Sequence, residues 1–257
     1  MTTSAATRHI ELHGAANVRD LGGLPAGEGR SVAPGRVLRG DSLHRLTAGD
    51  VAVLEAVGVR TVLDLRSEAE VERLAATPLP PGAEIVHTPW RPPAKVPQIL
   101  GGIAEMSYLP LAELYESFVE ANLDYLATVF RVILAPERHA VLFHCYAGKD
   151  RTGITAAILL DVLGVAADDI VADYAATADN RERFSELAAG DAEALDFHLL
   201  DRAKINPDLL GSPANQMADF LAIVARRWGS GEGLLQAIGL SDTEIAALRD
   251  NLLVPAT

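Results

Sequence analysis

Cysteine is nearly absent from this sequence: Cys145 is the only one among 257 residues. A single cysteine cannot form an internal disulfide, so the fold does not depend on an oxidising compartment. A chain of this length also buries enough apolar surface to fold without cross-links. The lone thiol therefore has to be explained by its surroundings in the sequence.

Long apolar runs are missing as well. No run approaches the roughly 20 residues that a membrane-spanning helix needs. The first 14 residues lack the apolar stretch of a secretory signal. We therefore expect a cytoplasmic location and no stable membrane insertion, with export without a signal peptide left open.

Basic residues are in the minority. The chain has 22 Lys and Arg against 35 Asp and Glu, for a formal net charge of -13. Because broad nucleic-acid binding needs basic surface to displace counterions, this balance argues against nucleic acid as a partner. It is compatible with a local anion site, since a few oriented donors override a diffuse negative surface at short range.

Apolar patterns and caps alternate along the chain in the manner of an α/β protein. The predicted strands are 35–40, 59–65, 83–89 and 139–145, and the predicted helices are 46–58, 68–76, 111–134, 153–164, 168–183, 215–229 and 241–253. Thr47 with Asp50, and Ser241 with Glu244, are cap signals for two of these helices, and Gly58 is a stop signal. Residues 91–112 mix prolines, glycines and apolar side chains, which is typical of an insert or lid. We expect one domain (1–257) with a central, mostly parallel sheet flanked by helices, a helical lid insert and C-terminal helices.

The cysteine lies in the segment HCYAGKDRTG, residues 144–153, between a predicted strand and a predicted helix. Strand, turn and helix in this order aim backbone N–H groups and the positive helix end at an anion. Gly148 and Gly153 let the backbone turn sharply, Arg151 supplies a planar fork for two phosphate oxygens, and Lys149 adds a point charge. The segment therefore predicts a phosphate cradle, whose members are Tyr146, Ala147, Gly148, Lys149, Asp150, Arg151 and Thr152.

Cys145 is expected at the bottom of this cradle. The helix end, the amides and the nearby cations favour its thiolate form. A thiolate beneath a phosphate, with Arg151 on the equatorial oxygens, is set up for in-line attack on phosphorus. Water then cleaves the cysteinyl-phosphate and inorganic phosphate leaves. Thr152 is expected to stabilise the sulfur as leaving group, and His144 to hold the loop in shape.

The leaving oxygen also needs a proton. Asp150, inside the cradle, is the first candidate for the general acid. Asp64 is the second, because strand ends in open α/β sheets face the ligand crevice; it serves equally well as a buried orienter of the cradle. No cofactor and no metal are implied.

Other residues near these motifs have plainer interpretations. Ion pairs beneath the site are the expected role of Arg19, Asp20, Arg39, Arg66 and Glu68. The histidines 44, 87 and 198 show no metal spacing, and Trp90 either stacks near substrate or lies in the core. A nucleotide-binding G-x4-G-K-[ST] loop is excluded, since Asp150 follows Lys149. A sulfurtransferase cradle is the weaker alternative, because it does not require the Arg-Thr-Gly ending.

The segment 144–153 matches the H-C-x5-R-[ST] signature of cysteine-dependent phosphatases. Its GKDRTG ending resembles the bacterial family of mycobacterial tyrosine phosphatase B, within the protein tyrosine phosphatase superfamily. Further resemblance lies in NVRDLGG (17–23), GRVLRGDSL (35–43), TVLDLRSEAE (61–70) and GLSDTEIAALRDNLL (239–253), so it runs from about residue 14 to 253. The resemblance implies a parallel-sheet phosphatase fold with a helical lid, no metal, and activity on phosphotyrosine, with phosphoserine, phosphothreonine and phosphoinositides as further substrates of the family.

One departure from many tyrosine phosphatases stands out. Their general acid lies on a W-P-D loop, whereas the comparable stretch here, PWRPPAKV (89–96), has no aspartate. This strengthens the case for Asp150. Two alternatives stay open: a phosphoinositide phosphatase, and a catalytically silent phosphate-binding adaptor.

Overall fold

A computed structural model describes residues 8–92, 110–191 and 211–256 of the chain. Most of the expected lid, residues 93–109, lies outside the described residues, and so does His198. The expectations for both stay predictions.

The strands form two sheets, one of five strands and one of three. They are β1 (Arg19–Asp20), β2 (Pro25–Ala26), β3 (Arg30–Val32), β4 (Val37–Gly40), β5 (Thr61–Asp64), β6 (Glu84–His87), β7 (Val141–His144) and β8 (Leu253–Pro255). The larger sheet has the order β1-β4-β7-β5-β6, parallel throughout except for β1 at one edge. The small sheet, β2-β3-β8, is antiparallel. All four predicted strands are present in the large sheet, and the others are too short to leave a periodic signal.

The helices flank this sheet. They are α1 (Ala48–Val57), α2 (Glu68–Arg73), α3 (Leu111–Ala121), α4 (Leu123–Leu134), α5 (Asp150–Val162), α6 (Ala167–Ala175), α7 (Arg181–Ala188), α8 (Ala214–Trp228), α9 (Gly231–Ala237) and α10 (Asp242–Leu252). The expected α/β fold, with a mostly parallel central sheet between helices, is confirmed. Of the helices in the described ranges, none has the length and apolar character needed to cross a membrane.

The two faces of the large sheet bury separate apolar clusters, and β7 contributes to both. Val141, Phe143 and Cys145 belong to the larger cluster, which includes side chains of α3 to α6 and of α8 to α10. Ala140 and Leu142 belong to the smaller cluster, with side chains from the N-terminal segment and α1. This is the alternation that a strand imposes on its side chains. It places the thiol on the face that α5 covers.

The carboxyl ends of the parallel strands meet at one edge of the sheet. In the pairing register, Gly40 at the end of β4 and Asp64 at the end of β5 both lie opposite His144 at the end of β7. Ligands of open α/β sheets bind at this edge. Two widely separated sequence motifs are therefore next to the cysteine loop.

The caps follow the sequence. Thr47 and Asp50 form a capping box at the start of α1, which ends at Gly58 in the left-handed conformation. Ser241 and Glu244 cap α10 in the same way. The structure adds a third box, Ser67 with Glu70, at the start of α2.

The prediction of one helix over 111–134 was wrong, because the segment is broken at Asn122 into α3 and α4. The Asn122 amide is turned to another segment: Oδ1 accepts the Arg91 backbone N–H at 2.6 Å and Nδ2 donates to the Arg91 carbonyl oxygen at 3.0 Å. These bonds anchor the chain just after β6.

The prediction of one helix from 168 to 183 was also wrong. The segment is α6, a 3-10 turn over 176–180, and then α7. Side chains in the turn bond to the N-terminal segment: Thr177 accepts from Arg19 at 3.2 Å, and Asn180 donates to Asn17 at 3.1 Å. Such tertiary bonds are invisible to helical periodicity.

We expect Asn122→Ala to lower the free energy of unfolding by about 2 kcal/mol, because it leaves both backbone groups of Arg91 without their partner. Thr128→Ala on the same helix pair is the matched control, since it removes only an exposed hydroxyl that bonds the Asp124 carbonyl. Urea unfolding of both variants measures the effect. Equal stabilities of the two variants would contradict the anchoring role of Asn122.

Candidate active site

The loop between β7 and α5 directs its carbonyl groups away from its concave side. The oxygen of His144 accepts from the Leu65 amide at 2.8 Å, that of Tyr146 from the Ser42 amide at 2.9 Å, and that of Lys149 from the Gly153 amide at 2.7 Å. With these acceptors engaged by the segments after β4 and β5 and by the first turn of α5, the loop amides are available for an anion.

Gly148 is the point of closest approach between this loop and β4. Its φ is +68°, and a Cβ there would lie 2.7 Å from backbone atoms of Gly40 and Asp41. Its carbonyl oxygen accepts from Arg39 at 2.9 Å and from Asn17 at 3.3 Å. The position therefore requires glycine for its conformation and for its contact.

Three buried arginines lie behind the loop and share one carboxylate, that of Asp173. Arg8 and Arg39 contact it at 2.7 Å each and Arg19 at 3.1 Å, with every side chain nearly inaccessible to solvent. Burial, with the like charge of Arg39 beside it, lowers the pKa of Arg19 to about 10. Burial opposes the charge on Asp173, but the three arginines outweigh it and hold the pKa of Asp173 well below its ordinary value. The cluster leaves an excess of positive charge beneath an anion-binding loop.

Arg151, in the first turn of α5, forms a two-pronged ion pair with Glu70. Its two terminal nitrogens donate to the Glu70 carboxylate at 2.6 and 2.8 Å, and one also lies 3.3 Å from the Leu65 carbonyl oxygen. Burial would lower the pKa of Arg151, but Glu70 more than compensates and raises it. Glu70 in turn also closes the capping box of α2 through Ser67. One carboxylate therefore fixes both a helix end and the orientation of the guanidinium fork.

Asp64 is engaged in an ion pair at the end of β5. Arg66 donates to it from its side chain at 2.6 to 3.0 Å and from its backbone at 3.0 Å. Burial would raise the pKa of Asp64, but the nearby His144 and Arg66 outweigh it and hold that pKa well below its ordinary value. Asp64 is therefore an ionised, buried carboxylate, in a setting suited to an orienter of the loop.

His144 lies between Asp64 and the cysteine. Its Nδ1 donates to the Cys145 carbonyl oxygen at 3.0 Å, while Nε2 lies 3.9 Å from Asp64. Because a carbonyl can only accept, Nδ1 carries the proton. Burial lowers the pKa of His144, so the imidazole is neutral near pH 7 and Arg66 is the principal partner of Asp64. This bond to the Cys145 carbonyl oxygen is consistent with the predicted role of His144 in holding the loop in shape.

Asp150 opens α5 at the mouth of the loop. Its Oδ1 accepts from the Tyr115 hydroxyl at 2.6 Å and lies 3.3 Å from Lys149 Nζ. Its side chain is 37% exposed, whereas those of Lys149 and Asp64 are 6% and 3% exposed. Of the two candidate acids, Asp150 is the one that solvent reaches.

The remaining loop residues are buried, except Ala147, which is half-buried. Cys145 is a free thiol with 2% exposure. The Thr152 hydroxyl lies 3.5 Å from the Gly40 carbonyl oxygen, and a Cβ at Gly153 would lie 3.0 Å from the Tyr174 ring. The Tyr146 hydroxyl donates to Asp191 at 3.1 Å, and burial together with this carboxylate raises the pKa of Tyr146. The structure thus brings the predicted loop residues together on one turn.

Some of the neighbouring residues form the ion pairs expected of them, and others have different partners. Ion pairs are confirmed for Arg19, Arg39 and Arg66. Asp20 instead accepts the backbone amides of Gly22 and Gly35. The glutamate that pairs with the loop is Glu70, not Glu68, because only Glu70 is at the N3 position that turns back over Ser67.

Of the other polar and aromatic candidates, His44 and Trp90 are buried and His87 is exposed. His44 bonds Ser42 and Asp191, and His87 bonds the Arg66 carbonyl oxygen. Trp90 is buried with its ring 6.4 Å from that of Phe118. Within the described ranges, no three His, Cys, Asp or Glu side chains are grouped as a metal would require.

Sequence reasoning missed Glu70, Tyr115 and Asp173. Glu70 had a readable signal, the S-x-x-E spacing from Ser67 that was used for Ser241. Tyr115 and Asp173 had none, because Tyr115 reaches Asp150, and Asp173 reaches the arginines behind the loop, only through tertiary packing of distant helices.

Comparison with known proteins adds the family context. Residues 10–254 match the sequence model of the tyrosine phosphatase family. The chain is 30% identical over 275 residues to the triple specificity protein phosphatase PtpB of Mycobacterium tuberculosis, covering 95% of this chain and 98% of that protein. It is 31% identical over 242 residues to a tyrosine-protein phosphatase of Nostoc commune, covering 89% of this chain and 78% of that protein. Among solved structures, P. aeruginosa TpbA aligns with a TM-score of 0.39 and 18% identity, over 82% of this chain and 91% of that chain.

We expect Gly148→Ala to destabilise the protein by about 2 kcal/mol more than Gly164→Ala, because overpacking adds to the cost of a positive φ. Both glycines have positive φ, but a Cβ at Gly164 would lie 3.5 Å from its nearest neighbour, an ordinary contact. Urea unfolding measures the free energy of unfolding of each variant. Titration with inorganic phosphate measures the affinity of the loop for an anion. Equal behaviour of the two variants would show that the loop does not pack on β4 as described.

Glu70→Gln tests the carboxylate that holds Arg151. The pKa of Glu70 falls from 4.5 to about 2, because the charge of Arg151 outweighs the opposing effect of burial. The sign follows from linkage: the stabilisation is complete above pH 4.5 and is lost as the pH falls towards about 2. The stability difference between wild type and Glu70→Gln should therefore be constant above about pH 5.5 and shrink below that. Glu68→Gln, an exposed change on the same helix, is the control, and a pH-independent difference for Glu70→Gln would refute the ion pair.

Proposed function

Since this chain belongs to the tyrosine phosphatase family, we propose that it removes phosphate from phosphotyrosine in proteins through a cysteinyl-phosphate on Cys145. The chain is a phosphatase, and its substrate is phosphorylated. The observation that supports the mechanism is the loop itself: its carbonyl groups are engaged in hydrogen bonds, and it carries a buried thiol together with a guanidinium group that Glu70 holds in place.

In the first step the Cys145 thiolate attacks phosphorus and the bond from phosphorus to the tyrosine oxygen breaks. The loop amides and Arg151 bind the three oxygens of the transferring group, where charge is concentrated in the transition state. Asp150 gives its proton to the departing phenol oxygen. The products are cysteinyl-phosphate and free tyrosine hydroxyl.

In the second step water attacks phosphorus and the bond from phosphorus to sulfur breaks. The Asp150 carboxylate takes a proton from the water, and the thiolate is released with inorganic phosphate. Thr152 stabilises the departing sulfur, and Lys149 holds charge on the substrate side of the loop. No cofactor is needed, since nucleophile, acid and charge stabilisation all come from the chain.

Asp150 is preferred to Asp64 as the acid for two reasons. A general acid must carry a proton, and the pKa of Asp64 lies well below its ordinary value in the Arg66 pair. A general acid must also reach the leaving group, and Asp64 is nearly inaccessible. We assign Asp64 the orienting role, through Arg66 and His144.

The substrate range has two alternatives. Activity on phosphoserine and phosphothreonine in addition to phosphotyrosine is supported by a relative that is named a triple specificity protein phosphatase. Phosphoinositide activity is supported by Lys149, whose charge suits a multiply phosphorylated ring. A silent adaptor has less support, because thiol, arginine and threonine are all in the loop. We propose that the activity is cytoplasmic and resides in one domain, and the family match over residues 10–254 supports the single domain.

We expect Cys145→Ser to reduce phosphate release from a phosphotyrosine peptide below detection in EDTA while the variant still binds the peptide. A serine hydroxyl is a far weaker nucleophile than a thiolate, and the loop amides are unchanged. The same assay with phosphoserine peptides and phosphoinositide vesicles ranks the substrates. Turnover by the variant would remove Cys145 as nucleophile, and binding without release by wild type would favour the adaptor.

A further inference from the structure

We infer that Tyr115 is a positioning residue for the reaction, which orients the carboxyl group of Asp150 through a buried hydroxyl chain that begins at Tyr174. The inference rests on the proposed role of Asp150 as general acid. Tyr115 lies on α3 and Tyr174 on α6, and both rings are almost completely buried.

The direction of the hydrogen bonds follows from counting protons. The Tyr115 hydroxyl donates to Asp150 Oδ1 at 2.6 Å, and its oxygen is 2.7 Å from the Tyr174 hydroxyl. A hydroxyl has one hydrogen, which Tyr115 uses on the carboxylate. Tyr174 is therefore the donor to Tyr115, and the chain runs from Tyr174 through Tyr115 to Asp150.

This chain distinguishes the two carboxyl oxygens of Asp150. Tyr115 and Lys149 both contact Oδ1. With Oδ1 occupied by these two groups, the proposal assigns the transferable proton to Oδ2. When that proton leaves, negative charge develops on the carboxyl group, and the bond from Tyr115 becomes charge-assisted and stronger. The Tyr115 hydroxyl thus stabilises the Asp150 carboxyl group more in the transition state than in the ground state.

Tyr115 is held rigidly enough for this role. Its ring packs edge-to-face on Phe220 of α8 and on Tyr174, with centroids 5.8 and 6.2 Å away. Burial, with the negative charge of Asp150 beside it, raises the pKa of Tyr115 well above its ordinary value. The phenol therefore stays protonated and remains a donor over the working pH range.

Tyr115→Phe removes the donor and keeps the ring. Phosphotyrosine, whose leaving phenol has a pKa of about 10, needs the general acid. 4-Nitrophenyl phosphate releases a more acidic phenol and depends on it much less. We expect Tyr115→Phe to lower kcat/KM about tenfold for a phosphotyrosine peptide, and less than about twofold for 4-nitrophenyl phosphate. A merely structural role would lower both values equally.

Two comparisons make the experiment decisive. In an Asp150→Asn background, Tyr115→Phe should have no further effect, because the pair acts as one unit. Tyr125→Phe removes a hydroxyl of α4 that is hydrogen-bonded to Arg91. This control should leave kcat/KM unchanged for both substrates. Thermal unfolding shows whether Tyr115→Phe is folded. If it is not, Tyr174→Phe tests the same hydroxyl chain, and we expect it to lower kcat/KM selectively for the phosphotyrosine peptide, by a smaller factor.

The outcomes separate this inference from the proposed function. If Asp150→Asn loses activity selectively on phosphotyrosine and Tyr115→Phe does not, Tyr115 has no positioning role. If Asp150→Asn loses activity equally on both substrates, Asp150 is not the general acid, and the role of Tyr115 is overturned with it. Additive losses in the double variant would also overturn it.

Discussion

Everything at this site depends on where the loop between β7 and α5 sends its carbonyl oxygens. A loop can offer its amides to an anion only if its acceptors are engaged elsewhere, because buried backbone groups must be paired. Here the partners come from the ends of two neighbouring strands, through the amides of Ser42 and Leu65, and from the side chain of Arg39. The phosphate cradle is thus a property of the sheet edge as much as of its own ten residues.

The same constraint explains the buried arginines. Arg39 holds the Gly148 carbonyl and is held by Asp173, which Arg8 and Arg19 also contact. Burying a charge is expensive unless it is paired, and three guanidinium groups on one carboxylate are incompletely neutralised. In the proposed function, a phosphate bound on the other side of the loop supplies the missing negative charge. The chain has a net charge of -13, yet it concentrates cations beside the loop that we propose as the phosphate site.

The sequence predicted most of the fold and the centre of the site, and it failed where information is tertiary. The loop at residues 144–153 could be predicted because its strand, glycine turn and helix are consecutive in the sequence. The caps at Thr47 and Ser241 could be predicted because a capping box depends only on local spacing. Asn122 interrupts a continuous helical pattern only because Arg91 lies beside it in space. Tyr115 and Asp173 are likewise ordinary helical residues until packing brings them to the loop. Glu70 is different, since its capping spacing was visible and only its second role, the grip on Arg151, required the structure.

An acid at the start of α5 has mechanistic consequences that an acid on a separate loop does not. Asp150 is adjacent to Arg151, so the proposed proton donor and the proposed phosphate-binding group move as one body with the helix. Its geometry is set by α3 and α6 through Tyr115 and Tyr174, and preorganised groups spend no energy on reorganisation during the reaction. The limitation is directional: the leaving oxygen must approach from the side of the cradle where α5 begins. Substrate selection is then decided by which phosphate esters can turn their leaving group to that side. Under the proposed mechanism, the surroundings of Lys149 and Asp150 therefore contribute to the choice of substrate.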